Sequence, residues 1–92
     1  MAAVKFEWDE QKAETNRAKH GVSFDLAAHF EFATALVVED DRRDYGETRF
    51  VALGFIGSRI HHMSFTERAG AIRVISLRKA NRREQSFYEE NI

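Results

Sequence analysis

Ninety-two residues, 43% hydrophobic and 32% charged, make one small globular domain spanning residues 1–92, and exclude a disordered, collagen-like or fibrous chain. Cysteine is absent, which excludes a disulfide framework, a thiolate metal site and a cysteine nucleophile, and fits a reducing, cytoplasmic setting. The net charge of −1 is unevenly divided: residues 1–47 hold eleven acids and six Lys/Arg, residues 48–92 four acids and eight Lys/Arg. One side of the domain should therefore attract anions, and its arginines suit planar groups such as phosphate; an acidic protein partner or a plain solvated surface accounts for the same charges.

Val4 to Trp8 reads as a short strand. Asp9 suits the N-cap of a helix through Lys19 with Glu10 in its first turn, and His20-Gly21 end it, the glycine taking the left-handed position. Ser23 is expected to cap a second helix, in which Phe24, Ala27, Ala28 and Phe32 lie near helical spacing. Ala35 to Val38 reads as a strand and Glu39 to Glu47 as a polar connection. Three β runs follow, Thr48 to Ile56, Arg59 to Glu67 and Ala71 to Lys79. Gly57-Ser58 is a type II′ hairpin signal between the first two, and Arg68-Ala69-Gly70 a second tight connection. Asn81 with Glu84 three residues on predicts a capping box and a final helix, Arg82 to Asn91. No apolar run approaches the ~20 residues of a membrane span and the N-terminus does not read as a signal peptide, so neither export nor a membrane partner is expected. The order predicts an α+β fold: an antiparallel sheet, two N-terminal helices on one face, and a C-terminal helix.

Two-residue turns fix which residues face each other. With Gly57-Ser58 central, Val51 lies opposite Ser64 and Arg49 opposite Thr66; with Ala69-Gly70 central, Thr66 lies opposite Arg73. Alternation then puts Phe50, Ala52, Met63, Phe65, Ile72 and Val74 on one face, under the first two helices. The other face gathers Arg49, Thr66 and Arg73 in a row, with Ser64 and His62 beside them and Val51, Leu53 and Ile75 between.

Phe6-Glu7-Trp8-Asp9, Lys12, Asn16 and Lys19-His20-Gly21-Val22-Ser23-Phe24 resemble the N-terminal signature of the BrnT toxins of bacterial type II toxin–antitoxin systems. The likeness continues through Gly46-Glu47 with Arg49, Phe65-Thr66-Glu67-Arg68, Ile72 to Ser76, Arg78-Lys79-Ala80, Arg83-Glu84 and Tyr88, over nearly the whole chain. The resemblance implies a fold similar to the RelE ribonucleases, metal-independent RNA cleavage without a cofactor, and neutralisation by a BrnA-type antitoxin, with DNA contacted only through that partner.

Cleavage by the ribose 2′-hydroxyl needs a base, cationic donors for charge building on phosphorus, and an acid for the leaving oxygen. Arg49 and Arg73 are expected to stabilise that charge, with Lys19, Thr66, Arg78, Lys79 and Arg82 as further RNA or phosphate contacts. His20 and His62 are the acid–base candidates, although a histidine at a helix end also serves as a cap. His61 and His62 point to opposite faces and cannot share a metal, so no metal site is expected; His61 should lie under the helices. Phe6, Trp8, Phe24 and Phe65 are assigned to the core, and Tyr45 and Tyr88 to exposed aromatic contacts, unless Tyr88 anchors the final helix. The alternative to an enzyme is a non-catalytic module that binds antitoxin or nucleic acid with the same basic cleft.

Overall fold

Period-two alternation and two tight turns build the centre of the molecule. In the computed structural model, which describes residues 4–92, strands β3 (Arg49–Ile56), β4 (Arg59–Arg68) and β5 (Ala71–Lys79) form an antiparallel meander. Gly57 has φ 62° in the first turn; in the second, Ala69 and Gly70 both have positive φ, 51° and 80°. Two successive positive φ values give the primed twist that returns a strand on its neighbour, and Ala69 adopts it at a cost of ~1–2 kcal/mol. The pairs Arg49–Thr66, Val51–Ser64 and Thr66–Arg73 are those expected from the turns.

Strand β2 (Leu36–Asp40) adds antiparallel to β3, and β1 (Lys5–Glu7) adds to β5, giving the order β1-β5-β4-β3-β2. The β1–β5 pairing is parallel, so the sheet is mixed rather than wholly antiparallel. No short turn dictates the direction of β1: most of the chain intervenes before β5.

Helix α1 (Glu10–His20) starts where the Asp9 side chain accepts from the Lys12 N–H and stops at Gly21, φ 71°. The expected second helix is instead two 3-10 turns, Phe24–His29 and Phe32–Thr34. Its buried residues Phe24, Ala27 and Phe30 recur every third position, which one face of a three-residue turn matches better than an α-helix. With α1 these turns cover Ala52, Met63, Phe65, Val74 and Leu77, with Phe6, Trp8 and Phe50 packed around them. Gly54 permits that packing, because a Cβ there would lie 2.7 Å from the Phe30 ring.

Helix α2 (Arg82–Asn91) packs on the other face of the sheet. Asn81 and Glu84 form the reciprocal capping box, and Tyr88 is buried against Leu53, Ile60 and Ala80 while its hydroxyl donates to the Thr34 carbonyl at 2.8 Å. Tyr88 is thus an anchor, not an exposed aromatic. Among the described residues no helix is long and apolar enough to cross a membrane.

Two details of β5 decide what the open face offers. Ser64 pairs with Ser76 but Phe65 with Val74, leaving Ile75 as the extra residue of a bulge. The bulge reverses the alternation, sending Leu77 into the core and turning Arg78 outward beside His62. Beyond Arg73, where β1 ends, the edge of β5 meets α1 instead of a strand. There the buried Asn16 donates to the Leu77 carbonyl at 2.7 Å and accepts from the Leu77 N–H at 3.2 Å, its amide standing in for a neighbouring strand.

Candidate active site

The sheet face that α2 leaves open carries two charged groups, separated along the strands. At one end the register sets Glu7, Arg73, Thr66, Arg49 and Asp40 side by side across all five strands. Arg73 pairs with Glu7 at 3.2 Å, while Glu47 receives both Arg49 and Arg68 at 3.3 Å. Partial desolvation works against the Glu47 carboxylate, but the two guanidinium bonds outweigh it and lower its pKa. The Arg49 guanidinium also lies 4.1 Å from the Tyr45 ring centre. Thr66 is 3% exposed and donates its hydroxyl to the Thr48 carbonyl at 2.6 Å, which leaves it buried and already bonded within the protein.

Four positions along β4 from Thr66, roughly 13 Å at strand spacing, lies the second group. Arg78 makes a two-pronged contact with Glu84, 2.8 and 2.9 Å, and a further bond to the Lys79 carbonyl at 3.3 Å. The same Glu84 accepts from the Asn81 N–H, so the helix cap fixes the carboxylate that fixes the arginine. Arg78 bonding is the main reason that Glu84 is held down to about 2, desolvation opposing it. Of the five N–H groups on a guanidinium, three are engaged here, which leaves Nε and one Nη2 hydrogen for an anion.

His62 Nε2 lies 3.9 Å from Glu84 Oε2, and its Nδ1 is buried with no hydrogen-bond partner among the described residues. Burial and then the Arg78 charge lower the pKa of its imidazolium, against the opposing pull of Glu84. His20, exposed at the end of α1, is also shifted down, by partial desolvation and then by Lys19 and Arg78. Both imidazoles are therefore mainly neutral at pH 7 and both feel Arg78. His61, by contrast, is 5% exposed, with Nδ1 2.9 Å from the Arg59 carbonyl oxygen.

Two clefts flank this group. One of about 410 Å³ lies between α1 and β5, lined by Lys12, Lys19, His20, Ile75 and Ser76 among others; one of about 300 Å³ lies towards β2 and includes Val38, Arg42, Val51 and His62. A larger cleft of about 530 Å³, against Trp8, Glu10, Glu14 and Arg17, contains no histidine. Among the described residues no three His, Asp or Glu side chains are grouped to hold a metal.

His20 and His62 each lie within electrostatic range of Arg78, with Lys19 beside His20, while Arg49 and Arg73 stand at the other end of the face. Lys79 is exposed on the opposite side of β5 from Arg78, and Arg82 is exposed in the first turn of α2. Sequence reasoning passed over Glu84, seen only as a cap, and Arg42, which reads as one member of the charge run Asp40 to Asp44. The capping box does carry a signal for Glu84, since Arg78 stands six residues before it.

None of the curated proteins matches this chain. Residues 8–84 match the family described as ribonuclease toxin, BrnT, of type II toxin-antitoxin system. That match spans most of the chain and includes His20, His62, Arg78 and Glu84, and the chain therefore belongs to the BrnT family of type II toxin–antitoxin ribonuclease toxins.

Proposed function

We propose that this chain is a metal-independent endoribonuclease of RelE-like type, acting in the cytoplasm and neutralised by a cognate BrnA-type antitoxin. The observation that carries the reading is Arg78, fixed by Glu84 within electrostatic reach of two neutral imidazoles. His62 takes the proton of the ribose 2′-hydroxyl as its oxygen bonds to phosphorus. The bond to the 5′ oxygen breaks, and that oxygen takes a proton from the imidazolium form of His20, which exchanges with solvent. The product ends are a 2′,3′-cyclic phosphate and a 5′-hydroxyl. Arg78 donates to the phosphoryl oxygens as their charge grows, a contribution worth ~10²–10³ in rate for a well-placed donor. Lys19 lies along the α1 cleft, and Arg49 and Arg73 hold flanking phosphates.

An antitoxin that covers this face would block substrate and neutralise the cluster together, and such an interface should weaken as salt rises. Incubation of purified chain with RNA in chelator tests the enzyme reading. Cleavage leaving cyclic-phosphate ends, lost in Arg78→Ala and His62→Ala, is the expected outcome. An intact substrate under all conditions, with tight antitoxin binding, would leave the non-catalytic binding module.

A further inference from the structure

The 300 Å³ cleft on the β2 side of His62 has a construction that folding alone does not require. Its floor is Val38 and Val51, paired across β2 and β3, and Glu39, Asp40, Asp41, Arg42 and His62 line the rest. Val38 is 58% exposed although it lies in a strand. Arg42 reaches back to Asp40 with two bonds, 2.8 and 2.9 Å, and the Tyr45 hydroxyl donates to the same carboxylate at 3.1 Å. Those bonds hold the Asp40 carboxyl well below the usual range. The clamp is lopsided: the Asp40 side chain is 7% exposed and the Arg42 side chain 78%. A flat cation is thus held with its outer surface in solvent, in the same cleft as the exposed Val38 and near an imidazole whose proton affinity it helps to lower.

We infer that this cleft seats one nucleobase of single-stranded RNA, next to the phosphate that His62 and Arg78 address. The inference rests on the ribonuclease reading and adds a subsite to it. A base has two apolar faces and a polar edge, and proteins commonly hold unpaired bases against guanidinium planes while reading that edge. Val38 and Val51 take one face of the ring, and the Arg42 guanidinium the stacking contact. The volume is at the small end for ligand sites, as one nucleotide requires. Asp41 at the rim offers only acceptors, so the seat favours bases with an exocyclic amino group, adenine, cytosine or guanine, over uracil.

The test uses hexanucleotides of A, C and U whose 2′-hydroxyls are replaced by fluorine, so that binding is read without cleavage. Fluorescence anisotropy with the full chain should show the A and C oligomers binding ~10-fold tighter than U, and Arg42→Ala weakening all three by ~10-fold, the scale of one lost stacking contact. Asp41→Asn should bring the three oligomers within about twofold of one another, since an amide both donates and accepts. Both side chains are exposed, and melting curves confirm that the variants fold. Equal affinity for the three oligomers in the unmutated chain, or no effect of Arg42→Ala, overturns the seat. Parallel cleavage of mixed-sequence RNA separates the two readings. Cleavage with binding indifferent to the base removes the seat alone; base-selective binding without any cleavage removes the ribonuclease and keeps the seat.

Discussion

The two ends of the open sheet face use the same residue type to different effect. Arg49 and Arg73 are paired with Glu47 and Glu7, whose side chains are 29% and 40% exposed. Glu47 lies in the polar connection before β3 and is shared between two arginines. Arg78 is paired with a carboxylate that a helix cap holds in place, next to a partly buried histidine. What differs is the anchoring of the acid. A weakly anchored acid can yield its arginine to an incoming phosphate, whereas an anchored one keeps the guanidinium aimed at a fixed point. The first arrangement suits binding and the second suits stabilising a transition state.

The contrast is tested most strongly by alanine at each arginine. Arg78→Ala should reduce kcat by ~10²-fold or more, while Arg49→Ala and Arg73→Ala should act chiefly on KM, by roughly tenfold, in steady-state cleavage of a short RNA in chelator. Equal kcat losses at the three positions would erase the distinction. Arg78→Lys should recover little, because an ammonium cannot keep both Glu84 bonds in the same plane.

Asn16 supports the Arg78 end alone, through Leu77. Asn16→Ala leaves the Leu77 N–H and carbonyl without their partner, and urea unfolding should show a loss of ~2–4 kcal/mol. Arg73→Ala, which breaks one surface pair, should cost under ~1 kcal/mol in the same assay.

The pH dependence is expected to distinguish the ends as well. With His62 as base and the imidazolium of His20 as acid, kcat/KM passes through a maximum; its acid limb, set by His62, is centred below the ordinary histidine value of 6.5 because burial and Arg78 favour the neutral ring, and its alkaline limb reports the loss of the His20 proton. Replacing Arg78 by Gln removes a positive charge and should move the acid limb upward in the residual activity; Arg73→Gln should leave it in place.

Stability carries a pH dependence of its own. The Glu84 pKa is depressed to about 2 from an unfolded value of 4.5, so its contribution is fully present above pH 4.5 and is lost as pH falls towards 2. Unfolding free energies of the native chain and Glu84→Gln should differ by ~1–2 kcal/mol at pH 7, after allowance for its partial exposure, and converge near pH 2.

Much of this architecture is legible in the sequence, because local rules act where local contacts decide. The turns at Gly57 and Ala69-Gly70 set the meander register, and the Asn81–Glu84 spacing set the last helix. Phe50, Met63, Phe65 and Val74 could be assigned to the packed face on alternation alone. The 3-10 turns escaped because Phe24, Ala27, Ala28 and Phe32 also lie near α-helical spacing. The parallel β1 escaped because no neighbouring turn fixes its direction. The bulge at Ile75 mattered most for the site: strict alternation from Val74 puts Arg78 under the helices and Leu77 outside. One inserted residue reverses both, and nothing in the residue types announces it. Arg42 could not be singled out because its role depends on which carboxylate in a charged run points inward.

The Asn16 amide also bears on the order in which the molecule comes apart. It joins Leu77 across 61 residues of chain, while the meander is tied by turns of two residues. The units that open first are those with few buried apolar contacts, and Asn16 is the buried residue of helix α1. Helix α1 is such a unit, and His20 is carried on it one turn beyond Asn16. Partial opening would remove the proposed proton donor while His62, Arg78 and Glu84 stayed assembled on the sheet and its last helix. On warming, cleavage should therefore disappear before the β-sheet melts, leaving a folded remnant that holds phosphate but does not turn over.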